Sequence, residues 1–170
     1  MARGDIQTVE NVNDNFTTEF IVDSGTTKQA EAGEPTKADD AAAADPWTGE
    51  VGIMVDGDGT TSQRFTGICK DDSTETTSAA GVVVTYDPLP GLRYKAKALT
   101  STTADTAAEV NALRGKRVVF DLTADAWTVD AAATDAVANC VVITGGEYQT
   151  NSLYFTYAFK GTWLGFAISA

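Results

Sequence analysis

The sequence predicts a mainly β protein, a small β-barrel or sandwich with one short helix and an extended N-terminal arm. Three observations lead there. Apolar residues alternate with polar ones in short runs (Val82, Val84, Tyr86; Leu92, Tyr94, Ala96, Ala98; Val118, Phe120, Leu122). That period of two belongs to strands with one buried face. Clusters rich in Gly, Pro and Asp separate the runs, as in small barrels and sandwiches. One segment alone carries helix start and stop signals. At 170 residues, 43% of them hydrophobic, the chain can form one core; a domain of this size buries about 70% of its unfolded surface.

In chain order, residues 1–18 are polar and rich in Asn, Asp and Thr. They read as an arm that is either disordered alone or ordered against a neighbour. Residues 19–170 read as one β-rich domain. Glu19 to Asp23 is a short strand, and Ala32-Gly33-Glu34-Pro35 turns into a short edge strand, where proline is tolerated. Four alanines between Asp39 and Asp45 favour a helical turn that Pro46 stops. Val51, Ile53 and Val55 alternate, Asp56-Gly57-Asp58-Gly59 supplies a hairpin turn, and Phe65 to Cys69 returns. Asp71 to Ala80 is a Ser/Thr/Asp loop. The strand ending at Tyr86 enters the turn Asp87-Pro88-Leu89-Pro90-Gly91 and leaves from Leu92 as a second strand.

Ala104 to Arg114 is the helix: Thr106 and Glu109 match a capping box, and Gly115 suits a left-handed cap. Strands follow at Val118 to Leu122 and Trp127 to Asp130. Leu153, Phe155, Tyr157 and Phe159 then mark one face of another, and Trp163 to Ile168 is the last.

Charge narrows the function classes. The chain has 12 basic and 24 acidic residues, net −12, and no histidine. Its first fifty residues hold 3 basic and 11 acidic groups, net −8. Such a surface repels phosphate backbones and anionic lipid, so neither nucleic acid nor a membrane is expected as a direct partner. Without histidine the commonest general base and metal ligand are both missing. Cys69 and Cys140 sit in apolar runs and read as buried thiols rather than a disulfide. No basic-then-apolar leader and no membrane-length apolar stretch stand out, which suggests synthesis in a cytoplasm. No cofactor, metal site or catalytic residue is expected.

Each candidate site has a plainer reading beside it. Asp56-Gly57-Asp58-Gly59-Thr60 resembles the start of a calcium loop, but Gly67 falls where a closing glutamate is needed, so a turn fits better. Arg3-Gly4-Asp5 spells an integrin-binding tripeptide that arises easily by chance. Asp121, Asp125 and Asp130 lie near Trp127, a potential sugar platform, yet they read as solvated surface carboxylates. Arg93, Lys95 and Lys97 project from one strand face, and Arg114, Lys116 and Arg117 surround the helix exit. These six cations suit an acidic partner, or else an edge strand kept soluble and a helix C-terminus kept neutral.

Several segments together resemble the head decoration (cement) proteins of tailed bacteriophages. They are Ala32-Gly33-Glu34-Pro35, Phe65-Thr66-Gly67-Ile68, the run from Asp87 to Ala98, Gly115 to Leu122, and Trp127-Thr128-Val129-Asp130. The resemblance spans about Phe20 to Ile143. It implies a small β module, without cofactor, that binds the outer surface of a capsid in the virion. Such modules often form homotrimers, and the major capsid protein is the implied partner. Arg3, Ile6, Val9 and Phe16 of the arm, Arg93, Lys95 and Lys97, and Trp163 are the contacts expected. Trp47 and Phe166 are further apolar anchors or ordinary core. The alternatives are a receptor- or carbohydrate-binding module using Trp127 and Tyr148, and an acid-dependent hydrolase.

Overall fold

Eleven strands and one helix order the described part of the chain, and they do so in two sheets. The computed structural model describes residues 6–10, 17–22, 30–38, 50–59, 65–87, 92–139 and 141–157. The expectations for Arg3, Phe16, Trp47, Cys140, Phe159, Trp163 and Phe166, for the four alanines, for Pro88 to Gly91 and for the last strand lie outside those residues.

The larger sheet joins β1 (Gln7–Glu10), β7 (Arg93–Ala98), β11 (Ser152–Tyr157), β10 (Val141–Glu147), β8 (Arg117–Thr123) and β9 (Ala126–Asp130), in that order. A parallel pairing of β7 with β9 then closes five of these strands into a barrel. Closure through β9 takes up Lys97 and Ala98 on that flank of β7, and β1 takes up Arg93, Tyr94 and Lys95. The smaller sheet runs β2 (Thr17–Val22), β6 (Gly81–Tyr86), β5 (Phe65–Cys69), β3 (Pro35–Ala38), β4 (Val51–Ile53). An isolated parallel bridge from Ile21 to Glu50 curls it toward closure as well. The expected mainly β architecture with a barrel is what forms.

Alternation fills the barrel. Tyr94, Ala96 and Ala98 of β7, Val118 and Phe120 of β8, Trp127 and Val129 of β9, Val141 and Ile143 of β10, and Leu153 and Phe155 of β11 all point inward and are buried. Aromatic rings lock the centre: Phe120 meets Trp127 edge-on at 6.2 Å and Phe155 edge-on at 5.6 Å between centroids. Such pairs add about 0.5–1.5 kcal/mol each beyond their burial.

β5 joins the two sheets, and all five of its residues are buried. Phe65 and Ile68 belong to the barrel core, whereas Cys69 belongs to the smaller sheet's own core with Val22, Val51 and Val83. Residues three apart would face opposite ways on a regular strand. A break in the β3–β5 register, where Thr36 pairs with Gly67 but Lys37 with Phe65, resets the phase. Phe65 thereby stacks on Tyr157 at 3.9 Å. Gly67 permits the bulge: its φ is +149°, and a Cβ there would lie 2.4 Å from the Tyr86 carbonyl oxygen.

Several local expectations need correcting. β3 is not an edge strand, since β5 and β4 flank it; Pro35 is tolerated because it is the strand's first residue. Residues 56–59 do not close a hairpin of β4 with β5, because each of those strands pairs with β3 instead. That turn instead docks on the barrel: Gly57 donates to the Phe120 carbonyl at 3.0 Å, and Phe120 donates to that of Asp58 at 2.9 Å. Its geometry is set by Asp58, which accepts from the Val55 backbone and from Lys37 Nζ, each at 2.8 Å.

β6 and β7 are consecutive along the chain yet enter different sheets. The helix, α1 (Ala107–Leu113), is shorter than expected because Thr106 is its N-cap, with Glu109 completing the capping box. Gly115, at φ +81°, follows its end.

Candidate interaction surface

β7 presents its charged side chains outward, and β11 and the end of β10 organise them. Tyr94, Ala96 and Ala98 fill the barrel, which forces Arg93, Lys95 and Lys97 to the opposite face. In the ladders, Lys95 lies between Gln7 of β1 and Tyr154 of β11, and Arg93 lies opposite Glu10. The Arg93 guanidinium carbon sits 4.5 Å from the Tyr154 ring centre, and Lys95 Nζ lies 5.9 Å from it. Lys95 also pairs with Glu147 at 2.6 Å, and the Tyr154 hydroxyl donates to the same carboxylate. Lys97 Nζ donates to the Thr150 carbonyl at 2.5 Å.

These contacts fix the charge of the face. The Lys95 ammonium, then the Tyr154 hydroxyl, hold Glu147 down at about 2, so it is ionised across the ordinary range. Hydrogen bonding to Glu147 pushes the Tyr154 phenol up. With Glu147, and with Glu10 opposite Arg93 in the ladder, the row carries three cations to two carboxylates, on a chain whose net charge is −12. Cation–π contact at such a site is worth about 0.5–1 kcal/mol and, more to the point, fixes where the guanidinium sits. The face is preorganised.

The other three cations lie elsewhere. Arg117 starts β8, which β10 and β11 separate from β7 on one side and β9 on the other. Arg114 bonds Asn111, Lys116 Nζ donates to the Ala131 carbonyl, and Arg117 donates to that of Val137. They hold the helix exit and the loop after β9. The expected six-charge cluster is therefore two groups of three, and only β7 offers a continuous row.

Of the arm contacts, Ile6 is 3% exposed and belongs to the barrel's own core. Val9 lies within β1, which pairs with β7 of the same chain. The sequence did not point to Tyr154 and Glu147. Tyr154 was legible as the outward residue between Leu153 and Phe155, but nothing local ties it to Arg93.

The carboxylates and the tryptophan come out differently from the sugar-site expectation. Trp127 is fully buried, so it cannot serve as a sugar platform; Nε1 donates to the buried Glu34 at 3.2 Å. Tyr148 is exposed. Asp121 is half-buried, with Asp56 and Asp130 adding negative charge around it. Burial and those two carboxylates push it up, against the opposing hydrogen bond from Thr123 at 2.6 Å. Among the described residues, no group of three or more His, Cys, Asp or Glu is arranged to hold a metal ion. Cys69 is free and buried, and burial, with the Glu34 charge second, pushes its thiol far up. It is a poor nucleophile in that state.

A raised carboxyl disfavours the folded state once ionised. That penalty is absent below the unfolded value, near 3.9, and grows as pH climbs through the folded one. Asp121→Asn, which keeps an acceptor for Thr123, should therefore raise the melting temperature at pH 7 by roughly 2 °C. The gain should shrink toward pH 4. Thermal scans of both proteins at the two pH values check this, and an equal or larger gain at pH 4 would refute it.

Compared with known proteins, the chain matches no family model, no curated protein and no solved structure.

Proposed function

We propose that this chain is a structural virion protein that binds the outer surface of a tailed-phage capsid and stabilises contacts between major capsid protein subunits. The observation that carries the reading is the β7 row. Arg93 and Lys95 are held over Tyr154 on a closed barrel, within a chain otherwise dominated by acidic groups. A preformed positive stripe suits an acidic surface, and charge complementarity there governs encounter rate and register more than raw affinity. Homotrimers placed by capsid symmetry would multiply individually modest contacts into firm retention. The sequence resemblance to decoration proteins supports the same role; of the expected arm, residues 7–10 pair with β7 and residues 17–18 with β6 of this chain. No cofactor enters this account.

Arg93→Glu with Lys97→Glu tests it, Lys95 being spared because it is tied to Glu147. Binding to purified expanded capsids at low salt should fall by roughly tenfold or more, with a flatter salt dependence. Parental occupancy by the double variant would remove the β7 row from the account.

A further inference from the structure

We propose that one half of the β7 flank is an acceptor slot that β1 of a second copy of this chain can fill in exchange for the chain's own β1. On that flank β9 pairs with Lys97 and Ala98, whereas β1 pairs with Arg93, Tyr94 and Lys95. Two strands thus share one flank end to end, β9 parallel and β1 antiparallel. The barrel closes through β9 alone, and β1 is an added piece.

Its attachment is slight. β1 has four residues with a register break between Thr8 and Glu10, and Ile6 beside it is the anchor buried in the barrel core. No hairpin ties β1 to β7, which lies more than eighty residues further along the chain, and the next strand, β2, belongs to the other sheet. Every contact of β1 with the barrel is therefore one that an identical segment can reproduce from another molecule. Reciprocal exchange forfeits none of them, which makes strand swapping a low-cost route to association. The backbone register, Gln7 opposite Lys95 and Glu10 opposite Arg93, is one that an exchanged β1 reproduces. A tethered strand competes at an effective concentration on the order of millimolar, so exchange is expected where copies crowd together. The inference needs no capsid and goes beyond the role proposed above.

The test uses full-length protein in a Cys140→Ser background, with buried Cys69 left in place. One preparation carries Gln7→Cys, another Lys95→Cys, and a third carries both. Gln7 and Lys95 are ladder partners. Mixtures of the two single variants, incubated at rising concentration and treated with a short bismaleimide, should yield a covalent dimer whose fraction grows with concentration. A control mixture of Gln7→Cys with Thr123→Cys, an exposed site at the β8–β9 tip, should not. Internal cross-linking of the double variant, with the mixture no higher than the control, would overturn exchange and leave the shell reading intact.

Discussion

Gly67→Ala should destabilise the protein by about 3–5 kcal/mol, combining backbone strain with a steric clash. The φ of +149° lies in a region essentially reserved for glycine. The added methyl would lie 2.4 Å from the Tyr86 carbonyl oxygen and 2.8 Å from Thr85 Cβ. Neither neighbour can rotate away, because the first is backbone and the second is fully buried. Relief requires undoing the bulge, and that would turn Phe65 out of its stack on Tyr157. Given a slope near 2 kcal/mol per molar urea, the unfolding midpoint should drop by roughly 2 M. Gly52→Ala is the control, since a methyl added there would meet no atom within 4 Å and the φ is ordinary; it should leave the midpoint almost unchanged. Equal midpoints for the two variants would mean that the bulge does not set the phase of β5.

Trp127 is the second place where one residue decides much. Trp127→Ala should cost about 3–5 kcal/mol by opening a cavity beside Phe120. Trp127→Phe is more informative, because it keeps most of the ring and deletes the donor to Glu34. Glu34 is 1% exposed and also accepts from the Glu31 backbone at 2.8 Å. Its own backbone bonds Cys69, so this one residue links the turn before β3, the strand β5 and the barrel wall at β9. Removing a donor from a buried carboxylate costs about 1–3 kcal/mol. Glu34→Ala and Trp127→Phe should each destabilise, and the double variant should fall short of their sum by roughly 1 kcal/mol. Strict additivity in urea melts would show that the contact contributes nothing to joining the sheets.

What the sequence revealed was faces, not neighbours. The alternation from Leu92 to Ala98 fixed which side of β7 is buried, and Thr106 with Glu109 marked the capping box, although the helix read from Ala104 begins at Ala107. Pairing was hidden, because a period of two is the same whichever strand lies alongside. Hence β6 and β7 were legible as strands but not as members of different sheets. Residues 56–59 read as a hairpin turn because Asp-Gly pairs usually make one; their partner, Phe120, is more than sixty residues away. Pro35 suggested an edge, although a strand's first residue tolerates proline at an interior position too. Trp127 offered an aromatic beside carboxylates, and only burial against Glu34 shows it to be core. On the candidate surface, the row Arg93, Lys95, Lys97 was readable from β7 alone. The Tyr154 and Glu147 that orient it come from strands about fifty to sixty residues later, beyond any local pattern.

The role proposed for the chain is attachment to a capsid. Quantitative protein composition of mature particles, purified from cells producing the virion, addresses it most directly. The account predicts this chain in a fixed, symmetry-related ratio to the major capsid protein, released together with a fall in the temperature at which the particles burst. Recovery of the chain solely from the soluble fraction, with particles lacking it and equally robust, would contradict it.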